Sequence, residues 1–364
     1  MNSKTTILTA ALIACGAMST PALAQWDPDF KFSGFGTLGA VRANTDEGQY
    51  KRERQARGAD KSGSLLVDSN LGLQLTGKAN DWLSATVQTL TAQRTEDHLT
   101  TKIDWAFVKA TPLDGLALRA GKVSLPNFLI SDTRRVGYAN TALRPSDEVY
   151  GLDLLNGGLK GADISYRLPV AGNSLTVTGL AGKSSFTPTN SSSTLEVKDV
   201  KGLNLVWDGD WYTIRLGTIS GKPQIAGFSG EIYKFTGLGF TLDRANFVLQ
   251  GEKVKRRSSP GGSFLNADAQ YILAGYRIDK VLPYLSLAER KPYQGAFAVA
   301  PQKTTALGVR WDAFSSAAIK FQAERVDTQG TTGASFITPP VLPFGNKPIT
   351  QPVTTLSVAV DFVF

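Results

Sequence analysis

Apolar and polar positions alternate along this chain from about residue 30 to residue 364. In TLSVAVDFVF (355–364), Leu356, Val358, Val360, Phe362 and Phe364 share one face, while Thr355, Ser357, Ala359 and Asp361 share the other. A period of two marks a strand with one wet face and one apolar face. Leu65, Val67, Leu71, Leu73 and Leu75 repeat the pattern and predict a strand over 63–77. Sixteen such strands are predicted, the first over 30–42 and the last over 352–364. Every odd-numbered connection between them is longer than every even-numbered one. The short ones carry turn residues, as in Lys78-Ala79-Asn80-Asp81 and Pro112-Leu113-Asp114-Gly115.

A soluble sandwich gives no reason for long and short connections to alternate. An antiparallel barrel inserted from one side of a membrane does. The predicted fold is therefore all-β, a transmembrane antiparallel β-barrel of sixteen strands. Lipid satisfies no backbone N–H or C=O, so such a sheet closes on itself, with 352–364 pairing with 30–42. Arg119, Arg167, Arg215 and Arg310 alternate with apolar neighbours. An arginine facing lipid at mid-membrane costs about 2–4 kcal/mol, so these four are expected in the lumen. Asp68, Asp104, Asp163, Glu252, Glu324 and Asp361 are expected there too. Phe30, Phe32, Trp82, Tyr212, Phe247, Phe314, Phe362 and Phe364 cluster at strand ends on the short-turn side, as an interfacial girdle would.

The longest connection, 124–158, follows the fifth strand and holds Asp132, Arg134, Arg135, Arg144, Asp147 and Glu148. Long loops without regular structure are uncommon and often functional. These charges, facing the strand arginines, are the candidate pore-lining set.

Composition sharpens the picture. MNSKTTILTAALIACGAMSTPALAQ has Lys4, a short apolar run and Ala22-Leu23-Ala24, the layout of a secretory signal peptide cleaved after Ala24. Residues 1–24 are then the leader and 25–364 the barrel domain. Leu12-Ile13-Ala14-Cys15 also reads as a lipobox, and the mass of the mature chain distinguishes the two. Both methionines and the single cysteine precede residue 25, so the mature chain has no thiol for a disulfide or a metal. Its basic excess (+8 for the full chain) is spread along the sequence and forms no nucleic-acid stripe. No run of 18 apolar residues predicts a membrane helix.

Chemistry is sparse. GFGTLG (34–39) matches a dinucleotide fingerprint in letters, but the extended pattern continues through Ala40-Val41-Arg42 where a helix should open. The glycines fit close approach between strands instead. His98 is the only histidine, beside Asp97 in a loop, and reads as solvated. Asn190-Ser191-Ser192 reads as a polar turn. No enzyme, metal or cofactor is expected.

FSGFGTLGAV, IDWAFVK (103–109), LRAGKVSLPN (118–127), DTRRVGYAN (132–140) and the phenylalanine at 364 resemble general porins of Gram-negative outer membranes, across the whole mature chain. Within them the chain is similar to the single-barrel porin-like proteins of proteobacteria. The resemblance implies a 16-stranded passive channel for ions and small hydrophilic solutes in the outer membrane, usually a homotrimer, with its third external loop folded into the lumen. It also implies contact with outer-membrane lipid and lipopolysaccharide. Phe364, with Phe362, resembles the signal that the barrel-assembly machinery reads. Two other readings stay open: a solute-selective, anion-preferring channel, and a non-conducting barrel acting as adhesin or scaffold.

Overall fold

The computed structural model describes residues 29–186, 194–224, 232–259, 265–294, 296, 298–340 and 346–364. The proposed leader with Cys15, and the turn Asn190-Ser191-Ser192, lie outside the described residues. The alternating segments form sixteen long strands. They are β1 (Asp29–Ala43), β2 (Asn70–Lys78), β3 (Leu83–Gln93), β4 (Leu99–Leu113), β5 (Leu116–Val123), β6 (Leu159–Val170), β7 (Asn173–Phe186) and β8 (Leu195–Asp208). The second half comprises β9 (Tyr212–Pro223), β10 (Ile232–Arg244), β11 (Phe247–Ser259), β12 (Ala267–Tyr276), β13 (Val281–Pro292), β14 (Gln302–Phe314), β15 (Ala317–Asp327) and β16 (Val353–Val363). Each pairs antiparallel with its chain neighbours. β16 pairs with β1 from Phe35↔Val363 to Ala43↔Thr355, which closes the barrel.

One rim carries the tight turns, among them 114–115, 171–172, 245–246 and 315–316. Gly115 and Gly172 sit there at φ 77° and 79°, a left-handed backbone that glycine adopts without a Cβ clash. The opposite rim carries the long connections L1 (44–69), L3 (124–158) and L8 (328–352). L1 and L8 join through a two-residue ladder, Gln49–Tyr50 with Phe336–Ile337. Tyr50, Val67, Phe336 and Ile349 then pack on Val41, Val326 and Val353, so this core covers the mouth above β1, β15 and β16.

Side chains are partitioned inside out relative to a water-soluble fold. On β16, Leu356, Val358 and Val360 are exposed while Thr355, Ser357 and Asp361 are buried. Around the barrel Leu75, Val87, Ile164, Leu216, Leu285 and Leu307 point outward and Asp163, Arg215, Glu252 and Lys320 inward. Phe30, Phe32, Trp82, Phe247, Phe314 and Phe364 are all exposed at the short-turn rim. Phe247 and Tyr276 meet edge-on there at 4.8 Å, and Trp211 meets Tyr212 at 4.9 Å.

Two strand starts differ from expectation by five residues or more. The strand predicted over 200–208 begins already at Leu195, and that predicted over 63–77 begins only at Asn70. Asp68 is drawn into the lumen by Arg144 and Arg52, and Val67 is buried in the core under L1 and L8. Leu65, 70% exposed, belongs to the loop. Tertiary ion pairing outweighs the local alternation here.

Candidate functional site: the loop-lined lumen

L3 enters the barrel after β5 and reaches the opposite rim. Pro126 O accepts from Arg215 Nη2 on β9, and Leu129 N–H donates to Glu252 Oε1 on β11 at 2.9 Å. Phe128 lies under Phe235 and Tyr150, with ring centroids at 5.0 and 4.7 Å. A 3₁₀ turn, Gly137–Ala139, sits against β1 and β16. From within this turn, Tyr138 Oη donates to Ser315 O, in the β14–β15 turn, at 2.7 Å. The loop thus spans the depth of the lumen. It returns through Leu143, whose N–H donates to Tyr284 Oη at 3.0 Å, and through helix α1 (Asp147–Tyr150), whose Tyr150 hydroxyl donates to Glu252 Oε2 at 2.9 Å.

Three lumen-facing cations, Lys320 and Arg144 buried and Arg310 partly so, fix this path. Lys320 donates to the carbonyls of Gly137, Asn140 and Ala142 and pairs with Asp361 at 2.9 Å, both side chains fully buried. Arg310 donates to Tyr138 O and Asn140 O, each at 2.8 Å. Arg144, within L3 itself, binds Asp68 and Glu324 at 2.6 Å each and donates to Ser357 Oγ at 2.6 Å. Backbone carbonyls of an irregular loop need donors when buried, and lumen-facing cations supply them.

L3 therefore divides the lumen unequally. On its β12–β15 side lies a cavity of about 40 Å³, lined by Arg144, Asp147, Glu148, Gln302 and Glu324 among others. On its β3–β6 side a cavity of about 350 Å³ stays open between L3, L1 and the wall. Arg52, Arg54, Arg94, Lys102, Lys122, Arg134, Arg135 and Lys160 supply its cations, and Glu53, Asp104, Asp132 and Asp153 its carboxylates.

The predicted residues separate accordingly. Asp132, Arg134 and Arg135 line the larger cavity. Arg134 pairs with Asp153 at 3.0 Å, Arg135 with Glu53 at 2.5 Å, and Asp132 accepts from Ser124 Oγ at 2.5 Å. Arg144, Asp147 and Glu148 are buried against the smaller one; Asp147 accepts from Glu53 N–H and Ser335 Oγ, and Glu148 from Gln302 Nε2 and Thr304 Oγ1. Burial raises the Glu148 carboxyl above its ordinary range. Arg215 and Arg310 hold L3. Arg119 faces the lumen in a bidentate contact with Asp163 (2.8–3.1 Å). Arg167 is exposed on the inward face near the turn rim, in register with Thr176. Phe362 and Phe364 stack at 6.4 Å on the outer surface.

L1 supplies functional groups that the alternation rule missed. Arg52, Glu53 and Arg54 reach into the lumen beside L3. Glu53 holds φ 44°, a strained backbone for a non-glycine residue. Its N–H on Asp147 and its carboxylate on Arg135 keep it there. Burial opposes its ionisation, but Arg135, Arg134, Arg52 and Arg54 outweigh burial and hold its carboxyl down at about 2. The available signal was charge density in Lys51-Arg52-Glu53-Arg54-Gln55-Ala56-Arg57. Lys320 was legible by the same rule as the arginines, lying between Ile319 and Phe321.

No protein-family model and no curated protein matches the chain. Solved structures do. OmpF of Salmonella typhi, in complex with daunomycin, is 13% identical with a TM-score of 0.61, over 93% of this chain and 98% of that one. The anion-selective porin from Comamonas acidovorans is 14% identical at TM-score 0.59, over 93% of this chain and 100% of that one. OmpT, an outer membrane protein of Vibrio cholerae in trimer form, is 11% identical at TM-score 0.59, over 93% of this chain and 99% of that one. At these identities the likeness is one of fold: a closed sixteen-stranded antiparallel barrel of the porin type.

Proposed function

We propose that this chain is an outer-membrane channel that passes ions and small hydrophilic solutes down their gradients. The observation that carries the reading is the inverted partition of side chains. Apolar residues are exposed around a closed sheet, charges are buried inside it, and a polar cavity stays open beside L3. Water would penalise that exterior and lipid would accept it, while a closed sheet leaves no unpaired edge in lipid. Exposed Lys234 and Lys255, outward on β10 and β11 toward the long-loop rim, suit contact with lipopolysaccharide phosphates. Assembly as a homotrimer rests on the fold likeness to trimeric OmpT. Export with removal of residues 1–24 and insertion by the barrel-assembly machinery complete the reading.

Within the open cavity cations outnumber carboxylates two to one, which favours anions among the permeating ions. The experiment is planar-bilayer recording of purified protein. Stepwise conductance with a reversal potential displaced toward the anion is expected. Absence of any conductance step would favour the non-conducting adhesin or scaffold.

A further inference from the structure

Four cations of the 350 Å³ cavity belong to the barrel wall or its rim: Arg94, Lys102, Lys122 and Lys160. Four belong to the loops facing them: Arg52 and Arg54 of L1, Arg134 and Arg135 of L3. The carboxylates do not balance the two banks. Glu53 is taken by Arg135 and Asp153 by Arg134, both inside the loop bank. Arg94 is aimed by hydrogen bonds to Leu90 O (3.3 Å) and Thr100 O (3.0 Å), which fix its direction and leave its charge. Lys122 likewise donates to Ile103 O at 2.5 Å. Among the described residues Lys102 has only a long exposed pairing with Glu96, at 3.8 Å, a kind worth little in water.

Asp104 shows what such a place attracts. It lies in the cavity wall within Coulombic reach of Arg94 and Lys122 on one bank and Arg134 and Arg135 on the other. With Arg134 and Arg135 already paired, Asp104 stands against Arg94 and Lys122, and together with Lys102 and Lys160 the wall bank keeps a surplus that a second anionic group can take. Arginine forks match carboxylate and phosphate oxygens in bidentate geometry, and lysines add point charge. A monovalent anion engages one bank at a time, whereas a solute with two or more anionic groups bridges both. The volume is within the roughly 300–1,000 Å³ of small-molecule sites.

We infer that the cavity between L1, L3 and β3–β6 is a saturable site for compact polyvalent anions, solutes bearing two or more phosphate or carboxylate groups. The inference rests on the channel reading and goes beyond a general anion preference.

The test uses the whole protein in planar bilayers in potassium chloride, with pyrophosphate, citrate or acetate added on the long-loop side. Pyrophosphate or citrate should interrupt the current in a saturable manner at about 1 mM or below, and acetate should not. If pyrophosphate blocks and citrate does not, the site is phosphate-selective; the reverse makes it carboxylate-selective; either supports the inference. The variant Arg94→Gln/Lys102→Gln/Lys160→Gln should weaken the block by about tenfold or more, equivalent to about 1.4 kcal/mol, and stepwise current in potassium chloride shows that it has assembled as a channel. Lys102→Gln alone, at an exposed position, should weaken it in the same direction and guards against misfolding of the triple variant. Normal conductance with no block by either polyanion up to about 10 mM, or equal block in the variants, overturns the inference and leaves the channel reading standing. Absence of conductance in the unmodified protein overturns both.

Discussion

Phe364 closes over Gly34. The two exchange backbone hydrogen bonds at 2.8 and 3.0 Å, and a Cβ on residue 34 would fall 2.3 Å from the tip of the Phe364 ring. Gly36 does the same for Phe362, at 2.4 Å. Gly34 and Gly36 of FSGFGTLG are thus seats for the two aromatic rings on the strand that shuts the barrel. Gly34→Val would evict the Phe364 ring from its seat on β1, as Phe364→Ala would empty it. Both variants should lower the yield of folded, heat-modifiable barrel severalfold, with conductance per assembled channel unchanged. Gel mobility of membrane extracts reads the first quantity and bilayer recording the second. Full yield in both variants would reduce Phe364 to one more residue of the aromatic girdle.

Arg144 is the anchor whose loss should be felt most. It neutralises two buried carboxylates, Asp68 and Glu324, and lies over the Tyr50 ring at 5.3 Å. Arg144→Met leaves both acids without their shared cation. Breaking a buried pair from one side costs about 3–5 kcal/mol. The denaturant midpoint should fall accordingly, and L3, loosened on the β15–β16 side, should give a larger and noisier open current. A variant as stable and as quiet as the parent would refute the anchoring role.

Lys320 and Asp361 offer a sharper test, because their coupling is measurable by itself. Asp361 also accepts from Thr37 Oγ1 at 2.5 Å, so it links β15, β16 and β1 where the barrel closes. Lys320→Met strands Asp361 and frees the Gly137, Asn140 and Ala142 carbonyls. Asp361→Asn removes the charge but keeps an acceptor. In a double-mutant cycle the pair should couple by about 1–3 kcal/mol, within the range for residues in one network. Additive single effects would mean that Lys320 serves the loop carbonyls alone.

The barrel was legible because lipid-facing and lumen-facing sides impose a period of two on almost every strand. Leu356, Val358 and Asp361 could be assigned a side from their order alone. Closure of β16 on β1 followed from the absence of backbone partners in lipid. The interior was less legible for a physical reason. Arg119, Arg215 and Arg310 could be placed in the lumen, but their tasks depend on partners distant in sequence, Asp163, Pro126 and Tyr138. Arg310 spends its donors on Tyr138 and Asn140 carbonyls, and no alternation rule forecasts that. L1 was harder still. Its charges have no strand period, and Asp68 is pulled out of a segment that reads as strand. The open side of the lumen follows from how deep L3 goes, which depends on Lys320 meeting Gly137.

The clasp between L1 and L3 should respond to acid in a defined window. Glu53 has a folded-state value of about 2 against an ordinary 4.5, held down by surrounding arginines against the opposing effect of burial. A lowered carboxyl contributes stability that is complete above about 4.5 and is lost as pH falls from there toward 2. Amide exchange of residues 44–69, referenced to chemical exchange at each pH, should be equally protected at pH 7 and 5 and lose protection only below about 4. Glu53→Gln should lack protection throughout and show no such transition. Loss of protection between pH 7 and 5 in the parent would show that another group controls the clasp.

The side of the lumen through which solutes pass can be read with single cysteines, since the mature chain expected after cleavage has no thiol of its own. Ser131→Cys stands in the larger cavity and Ala306→Cys in the 40 Å³ space behind L3. That smaller space has room for a few waters at most. A negatively charged methanethiosulfonate reagent should reach residue 131 quickly and cut the current. Its fixed negative charge would also cancel part of the basic surplus and shift the reversal potential toward cations. Residue 306 should react at least about tenfold more slowly, because L3 must first leave Lys320, Arg310 and Arg144, and each tenfold in rate asks about 1.4 kcal/mol of opening. Adding Arg144→Met should narrow that gap by releasing the loop. Equal rates at both positions in the parent barrel would mean that L3 does not seal the β12–β15 side, and the passage would have to be redrawn across the whole lumen.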